Sequence, residues 1–375
     1  MKKQPADPIR ILFAPLDWGL GHATRCIPLI RFFLEKGCTV WIAAEGRTEK
    51  LLRQEFPDLS FIPLRGYRIR YAGSKTGLVF KMAAQIPTIL YTIRYENQWL
   101  KKTVRRLSLD AVVSDNRFGL YHRSIPSIYI THQLSIQAPG GRAMESVLRR
   151  IHYHYINRFR SCWVPDAQNT PNLSGKLGHP VRLPAIPLHY LGPLSRFVPH
   201  PIPIDNELLI LLSGPEPQRT LFEDRLLQQL ATFDQKVIFV RGLPGETVQL
   251  PGFSQVRIVN HLPAEALNEV ICRSNWVISR TGYTTVMDLV RLQKKSILVP
   301  TPGQTEQEYL GKYLRAEGLS CTVSQASFSL DRALDEARTF FYRFPDGQDA
   351  ETYKQVAGEF LDALRGAQTS PSGKP

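Results

Sequence analysis

Short apolar runs alternate with segments of helical spacing along most of the chain. In the first half, β-strands are predicted by the runs at 10–15 (RILFAP), 39–44 (TVWIAA), 61–64, 111–114 (AVVS) and 127–131 (SIYIT). A helix is predicted over 24–36, and it ends at Gly37. Short apolar runs separated by helices are typical of parallel strands that are buried on both faces. The first half is therefore predicted to be a doubly wound parallel sheet.

The alternation stops in a proline-rich stretch and then starts again. Six prolines fall between residues 183 and 203, which predicts a linker over 189–206. Further strands are predicted by the runs at 208–213, 236–241, 256–260, 276–279 and 296–300. We therefore expect two Rossmann-like α/β domains that face a cleft, over 1–188 and 207–346. A C-terminal helix over 347–366 and a disordered tail over 367–375 are expected to follow.

Charge is distributed unevenly between the two halves. The net charge is +14, and residues 1–200 hold 29 Lys and Arg against 12 Asp and Glu, whereas the remainder holds 18 against 21. This asymmetry indicates an anionic partner for the first half. Nucleic acid is not expected, because the sequence contains no recognised nucleic-acid-binding module.

Residues 65–106 concentrate this positive charge. They contain ten Lys and Arg and one acid, Glu96, interleaved with apolar and aromatic residues. Basic and apolar residues over a helical length suit docking on an anionic membrane surface. The alternative is a solvated basic face above ordinary core residues.

Cysteine usage and the N-terminus bear on location. The five cysteines form no C-x-x-C pair, which predicts reduced thiols in a cytoplasmic protein. No segment has the features of a signal peptide, and no apolar run approaches the roughly 20 residues of a membrane span. A peripheral position on the inner face of the plasma membrane is compatible with this expectation.

The first motif, Trp18-Gly-Leu-Gly-His22, lies between the first strand and the first helix. Glycines such as Gly21 at a strand-to-helix turn let the backbone approach a ligand, beside helix N–H groups that favour anions. A neutral imidazole at His22 is suited to take a proton from the hydroxyl of a second substrate, the acceptor. Trp18 is expected on the side of the site where this acceptor binds. The alternative is a tight turn with a helix-capping histidine.

Two further polar segments follow strands of the first domain. Asp115 and Arg117 follow AVVS, and His132 and Gln133 follow SIYIT. Because the carboxyl ends of parallel strands share one edge of a sheet, these side chains should face the same cleft as His22. The base is therefore His22, Asp115 or His132, and Asp115 is alternatively the residue that orients His22. Arg117 and Gln133 are expected on the acceptor side.

The main motif of the second domain is Ser279-Arg-Thr-Gly-Tyr-Thr-Thr-Val-Met-Asp288. Hydroxyls and backbone N–H groups at the start of a helix suit a diphosphate, and a carboxylate one turn later suits the hydroxyls of a ribose. An ordinary capped helix is the alternative. The donor-binding residues predicted in this segment are Arg280, Thr281, Gly282, Tyr283, Thr284, Thr285 and Asp288.

Two shorter segments complete the predicted donor site. Gln304, Gln307 and Glu308 begin another helix, where amides and carboxylates suit the hydroxyls of a sugar. Ser213 and Gly214 follow the first strand of the second domain and are predicted to form a second phosphate loop. No two aspartates are spaced as D-x-D, so no metal is expected. No cofactor is expected either, because a sugar nucleotide held by these segments would itself be a substrate.

From about residue 260 to 313 the order and spacing of these motifs resemble glycosyltransferase family 28, which includes peptidoglycan N-acetylglucosaminyltransferases. The resemblance implies a GT-B fold, a nucleotide-diphosphate sugar donor, usually UDP-linked, and a lipid or cell-envelope acceptor. Asp288 would match the ribose-binding acid, Gln307 and Glu308 the sugar-contacting pair, and His22 the histidine of the glycine loop. The sequence departs from the family at Asp288 and Glu308, where the family has Glu and Gln.

The sequence thus predicts a glycosyltransferase that moves a hexose or N-acetylhexosamine to a hydroxyl acceptor by metal-independent direct displacement. One alternative is a nucleotide-sugar hydrolase of the same fold, since Gly19-Leu-Gly-His-Ala-Thr-Arg25 resembles the G-x-G-H-x-x-R start of such enzymes. The other alternative is a non-catalytic protein that binds sugar nucleotides or polyanions.

Overall fold

The computed structural model describes residues 7–67, 75–136, 141–244, 246–247, 250–253 and 255–369, and for 75–84, 142, 348 and 369 it describes the backbone alone. The first domain is built on a parallel sheet in the order β3-β2-β1-β4-β5-β6-β7. Its strands are β1 (Arg10–Pro15), β2 (Thr39–Ala44), β3 (Ser60–Pro63), β4 (Ala111–Asp115), β5 (Ser127–Ile130), β6 (Ser161–Val164) and β7 (Leu188–Tyr190).

Helices cover both faces of this sheet, which explains why its central strands β1 and β4 are buried at nearly every position. They are α1 (Leu20–Glu35), α2 (Gly46–Glu55), α3 (Lys75–Leu107), α4 (Gly141–Ile156) and a 3₁₀ turn at Gly175–Leu177. Helix α1 begins four residues before its predicted start. His22 therefore belongs to the first turn of a helix and not to the loop before it.

The second domain repeats the architecture around a parallel sheet in the order β10-β9-β8-β11-β12-β13. Its strands are β8 (Asn206–Leu211), β9 (Val237–Val240), β10 (Val256–Val259), β11 (Ser274–Ser279), β12 (Ser296–Leu298) and β13 (Cys321–Thr322). Its helices are α5 (Gln218–Leu230), α6 (Ala264–Arg273), α7 (Tyr283–Arg291), α8 (Thr305–Ala316) and α9 (Leu330–Thr339). The prediction of two doubly wound domains is confirmed.

The strand order places one switch point in each sheet. Connections run one way from β1 and the other way from β4, and the same reversal separates β8 from β11. Open α/β sheets bind ligands outside the carboxyl ends of the strands at such points. The two switch points therefore locate the candidate site before any side chain is considered.

The segments that join the domains differ from their predicted bounds. The predicted linker overlaps β7 and the first residue of β8, so only 191–205 is irregular. After a 3₁₀ turn at Gln348–Glu351, the last helix, α10 (Thr352–Thr369), returns to the first domain, where Tyr353 packs edge-on against Phe32. Residues 367–369 are helical, in contrast to the predicted tail, and 370–375 lie outside the described residues.

Two findings bear on the expected location. Among the residues described, no helix is both long enough and apolar enough to cross a bilayer. All five cysteines are buried and unpaired.

Candidate active site

His22 and Asp115 form a hydrogen-bonded pair at the switch point of the first sheet. Asp115 is the last residue of β4, in register with Pro15, the last residue of β1. His22 is the third residue of α1, and its Nδ1 lies 2.9 Å from Oδ1 of Asp115. In the tautomer that donates from Nδ1 to this carboxylate, the Nε2 lone pair of His22 is left to accept a proton.

Arg25 also belongs to this site, although the sequence analysis did not list it with His22, Asp115 and His132. Its side chain is almost fully buried and grips Asp115 with two nitrogens, the Nε at 2.5 Å from Oδ2 and the Nη2 against Oδ1. The Nη2 also lies 2.9 Å from Nδ1 of His22. A signal was present in the sequence, because residues three apart on a helix share a face. Arg25 stands three residues after His22.

The electrostatics divide the roles within the pair. Burial raises the pKa of Asp115, but the charge of Arg25, with that of His22, outweighs burial and holds this pKa well below its usual range. Burial lowers the pKa of His22 below 6.5; Asp115 opposes this shift and Arg25 adds to it. A carboxylate with so low a pKa is a poor base, whereas a neutral imidazole is a suitable one. The geometry favours His22 as base and Asp115 as its orienting group.

His132 lies beside this pair, but both of its ring nitrogens are engaged. Its Nδ1 is 3.0 Å from Nη1 of Arg25, and its Nε2 is 2.7 Å from Oε1 of Glu306 in the second domain. Its ring stacks on Tyr283 with centroids 4.0 Å apart. In this conformation His132 has no free lone pair, which weighs against it as base. Glu306 was also missed, although it stands between the predicted Gln304 and Gln307.

The first turns of α1 and α7 meet across the domain boundary. The Thr284 hydroxyl donates to the Gly21 carbonyl at 3.2 Å, and a Cβ on Gly21 would lie 2.8 Å from that hydroxyl oxygen. Tyr283 is buried and donates its hydroxyl to the Pro165 carbonyl at 2.8 Å. Tyr283 and Thr284 thus join the domains in this conformation, in contrast to their predicted exposure to a donor.

Polar atoms without partners collect where β11 and β12 end. The buried Ser279 Oγ, Arg280 Nε, Thr281 Oγ1 and Thr301 Oγ1 accept or donate no hydrogen bond within the described part of the chain. Buried polar groups are nearly always paired, so such a group indicates an absent partner. Gly214, with φ of 112°, would place a Cβ 3.8 Å from the Thr301 hydroxyl, so the predicted phosphate loop adjoins these atoms.

Arg280 is held differently from the prediction. Its guanidinium donates to the carbonyl of Gln218 at 2.7 Å and to the side-chain oxygen of Gln325 at 2.7 Å, and it lies over the Phe222 ring. Burial lowers its pKa to about 10. No carboxylate pairs with it among the described residues, so its charge is directed mainly at dipoles. Arg280 therefore holds the end of β11 in place. Its predicted contact with the sugar donor depends on its Nε, which has no partner in the described part of the chain.

Asp288 is buried against the connection between the domains. Its Oδ1 accepts a 2.6 Å hydrogen bond from the Ser195 hydroxyl in the connection between the domains. Burial raises its pKa to about 6, against the opposing charge of Arg196. The predicted ribose contact requires Ser195 to release this carboxylate. Asp288 begins its second helical turn because α7 starts only at Tyr283.

The predicted sugar-contacting residues are engaged within their own segment. Oε1 of Gln307 accepts from the Thr301 backbone, Oε1 of Glu308 accepts from the Gly303 backbone, and Gln307 donates to Gln304 at 2.6 Å. These hydrogen bonds hold the loop after β12 against the first turn of α8. The other predicted donor residues, Ser213, Gly282 and Thr285, lie at the carboxyl edge of the same sheet.

The three residues predicted on the acceptor side differ in their exposure. Trp18 is 38% exposed, and its ring meets the ring of Tyr67 edge-on. Gln133 is half-buried next to His132. Arg117, in contrast, is fully buried and pairs through Nε with Glu96 at 2.8 Å. This burial weighs against the predicted contact of Arg117 with an acceptor.

The described residues contain no group of three or more His, Cys, Asp or Glu side chains arranged to hold a metal ion. The site is instead assembled from a His–Asp pair, a buried arginine and two helix starts. Two Rossmann-like domains that meet along the carboxyl edges of their sheets in this way define the GT-B class of folds.

Comparison with known proteins agrees with this class. Residues 228–352 match the family model described as the glycosyltransferase family 28 C-terminal domain. The match lies in the second domain and includes the segment whose motifs resemble this family, so the resemblance noted in those motifs is confirmed. A glycosyltransferase of kitacinnamycin has a similar structure, with a TM-score of 0.62 at 14% identity over 97% of this chain and 99% of the other.

Two curated relatives carry the same printed name, UDP-N-acetylglucosamine--N-acetylmuramyl-(pentapeptide) pyrophosphoryl-undecaprenol N-acetylglucosamine transferase. The protein from Prochlorococcus marinus is 25% identical over 174 residues, which is 45% of this chain and 46% of the relative. The protein from Methylobacterium radiotolerans is 26% identical over 198 residues, which is 48% and 49% respectively. The matched region thus spans about half the length of each.

Proposed function

We propose that this protein transfers a sugar from a nucleotide-diphosphate donor to a hydroxyl acceptor. The observation that carries the proposal is the juxtaposition of the His22–Asp115 pair with the first turn of α7, where Thr284 touches Gly21. One side of the boundary offers a neutral base, and the other offers the N-terminus of a helix, which favours a diphosphate. The family match of the second domain supports the same assignment.

In the proposed reaction, Nε2 of His22 accepts the proton of the acceptor hydroxyl while the oxygen attacks the anomeric carbon. Asp115 holds the imidazole in orientation through Nδ1 and stabilises the positive charge that develops on it. The bond from the anomeric carbon to the diphosphate breaks, and the departing negative charge is met by helix N–H groups and hydroxyls. We propose that no metal takes part, since these groups supply the stabilisation.

Thr281 provides the sharpest test of the diphosphate subsite. Its hydroxyl is buried and unpartnered, so Thr281→Val removes a polar group that the free protein leaves unsatisfied. We expect the melting temperature of the unliganded protein to stay the same or rise, and UDP to bind roughly 5–10-fold more weakly by calorimetry, as for one lost hydrogen bond.

Thr322→Val is the matched control for this substitution. The Thr322 hydroxyl is also buried without a partner, but it lies on the edge strand β13. It should reproduce any change in stability and leave the affinity for UDP unchanged. Equal affinities of the wild type and Thr281→Val would contradict the subsite.

A UDP-linked donor is the proposal that best fits the relatives, which are named for UDP-N-acetylglucosamine. We further propose that Asp288 exchanges its bond to Ser195 for the ribose hydroxyls when the donor binds. Asp288→Ala should then weaken UDP binding, and unchanged calorimetric affinity would remove the ribose role.

A nucleotide-sugar hydrolase is the second candidate, and the position of Arg25 favours it. Arg25 completes the G-x-G-H-x-x-R pattern, and the structure places it against both members of the His–Asp pair. Water would then replace the acceptor hydroxyl. Release of free UDP from the donor without any acceptor, at the rate measured with lipid extract present, would establish hydrolysis.

We propose that the acceptor is presented at an anionic membrane surface. Exposed apolar side chains on α3, Ile86 at 52% and Tyr91 at 61%, accompany exposed Lys101 and Arg105. Helix α4, which the sequence analysis did not single out, adds exposed residues at helical spacing on one face, namely Met144, Val147 and Ile151. Residues 68–74 of the predicted segment lie outside the described residues. An apolar stripe beside basic residues is the pattern of an interfacial helix.

Vesicle sedimentation tests this surface. Phosphatidylglycerol-containing vesicles should retain the wild type, and neutral phosphatidylcholine vesicles should retain much less, because the attraction is partly electrostatic. The double variant Ile86→Ser and Tyr91→Ser should lose binding, whereas Phe341→Ser, at an aromatic residue of the second domain that is 73% exposed, should not. Equal retention of all three proteins would contradict docking through α3.

A further inference from the structure

A chain of hydrogen-bonded side chains runs from the second domain to the candidate base in the first. Glu306 on α8 contacts His132 at 2.7 Å, His132 contacts Arg25 at 3.0 Å, and Arg25 grips Asp115. Asp115 in turn lies 2.9 Å from His22. Of these four links, the one between Glu306 and His132 crosses the domain boundary and joins residues 174 positions apart in sequence, so the complete chain exists only when the two domains are together.

Hydrogen-bond chemistry fixes the direction of the links around His132. An arginine has donors only, so Arg25 requires a lone pair on Nδ1 of His132. An ionised Glu306 has acceptors only, so it requires a proton on Nε2 of the same ring. Both demands are met by a single state, the neutral imidazole protonated at Nε2.

We propose that Glu306 is a positioning residue that acts across the domain boundary, by holding His132 in the tautomer that anchors Arg25. Arg25 then presents its Nε and Nη2 to Asp115, and this orientation keeps the carboxylate in place for His22. Neither Glu306 nor Arg25 needs to touch the reacting atoms. The inference rests on the proposed function, because it assigns the chain a purpose in aligning the base.

The location of Glu306 supports a coupling role. Its side chain is 35% exposed, whereas those of Asp115 and Arg25 are 0% and 2% exposed. The charged end of the chain thus sits at the margin of the boundary, and the buried end sits at the base. Separation of the domains removes the only carboxylate that is seen to contact Nε2 of His132 in the described residues. The His–Asp pair is therefore fully braced only in the closed form.

The groups that face His22 come from every element packed around it. They are Arg25 on α1 itself, Asp115 at the end of β4, and His132 after β5. Glu306 on α8 contributes its charge from the second domain. Removal of Glu306 takes one negative charge away from the surroundings of the His22–Asp115 pair. It also leaves His132, which contacts Arg25, without its carboxylate partner.

The experiment combines a direct reading of the tautomer with turnover. In the unliganded wild type, nitrogen-15 NMR of the imidazoles should show His132 protonated at Nε2 and bare at Nδ1, with assignment from His132→Asn. Glu306→Ala should change this pattern and lower kcat roughly 10–100-fold, as is typical when an outer partner of a reactive group is lost. Glu306→Gln retains an acceptor oxygen and should keep both the tautomer and most of the turnover.

Glu317→Ala, at an exposed acid at the end of the same helix, is the control and should behave as the wild type. A His132 protonated at Nδ1 in the wild type, or an Nε2–H tautomer that survives Glu306→Ala, would overturn the inference. Lack of turnover by the wild type with every donor would refute the proposed function instead, because the tautomer reading requires no activity.

Discussion

Replacement of His22 by Ala is expected to lower turnover by roughly 10²–10⁴-fold, the usual contribution of a general base. Nδ1 of His22 faces the Asp115 carboxylate, and Nε2 makes no hydrogen bond within the described residues, so Nε2 is the ring nitrogen left to accept a proton. Donor consumption should be measured with saturating nucleotide sugar. Because His22 lies at the boundary and not in the core, the melting temperature should change little.

Two comparisons make this result interpretable. UDP affinity of His22→Ala should stay within about threefold of the wild type, because the substitution removes a base and not a donor contact. Asp115→Asn should also slow turnover, since an amide does not stabilise an imidazolium as a carboxylate does. Turnover of His22→Ala within about threefold of the wild type would exclude His22 as the base.

The pH profile carries an independent signature of the same residue. Burial, reinforced by Arg25 and opposed by Asp115, lowers the pKa of His22 below 6.5. His22 is therefore mostly neutral at pH 6.5, the ordinary pKa of a histidine, and above it. Activity is lost only at lower pH, where the imidazole becomes protonated. The acid limb of kcat/KM should thus lie below pH 6.5. An acid limb above that value would contradict the assignment.

Replacement of Arg117 by Ala is expected to lower the free energy of unfolding by about 3–5 kcal/mol, the cost of leaving one member of a buried ion pair alone. Both side chains of the Arg117–Glu96 pair are fully buried. Glu96 also accepts hydrogen bonds from the Tyr67 hydroxyl and the Gly119 backbone, each at 2.9 Å. These neutral donors do not compensate the charge that Arg117 supplies.

Urea unfolding followed by circular dichroism measures this loss. Arg123→Ala, at an exposed arginine of the loop that follows, should change the same free energy by less than about 0.5 kcal/mol. An Arg117→Ala protein as stable as Arg123→Ala would show that Glu96 is neutral or solvated. Retained UDP binding by folded Arg117→Ala would agree with the structural role found for this residue.

The sequence by itself determined where most of the strands lie along the chain, and their ends indicated the edge of the sheet that carries the candidate site. Each predicted strand is present with its ends displaced by two residues or fewer, because buried parallel strands are apolar at every position and stand out locally. β6, β7 and β13 were missed, since SCWV, LHY and CT are short and partly polar. Strand ends were sufficient to bring His22, Asp115 and His132 to one edge.

The tertiary structure decided which side chain pairs with which. Arg117 and Asp115 are both polar residues near the end of β4, yet Arg117 pairs with Glu96 whereas Asp115 contacts His22. His132 is poorly placed to act as a base because its Nε2 is hydrogen-bonded to Glu306, 174 residues away in sequence. Local pattern reports which face of the chain is buried, but the partner of a buried charge is chosen by distant packing, and that choice sets its chemistry.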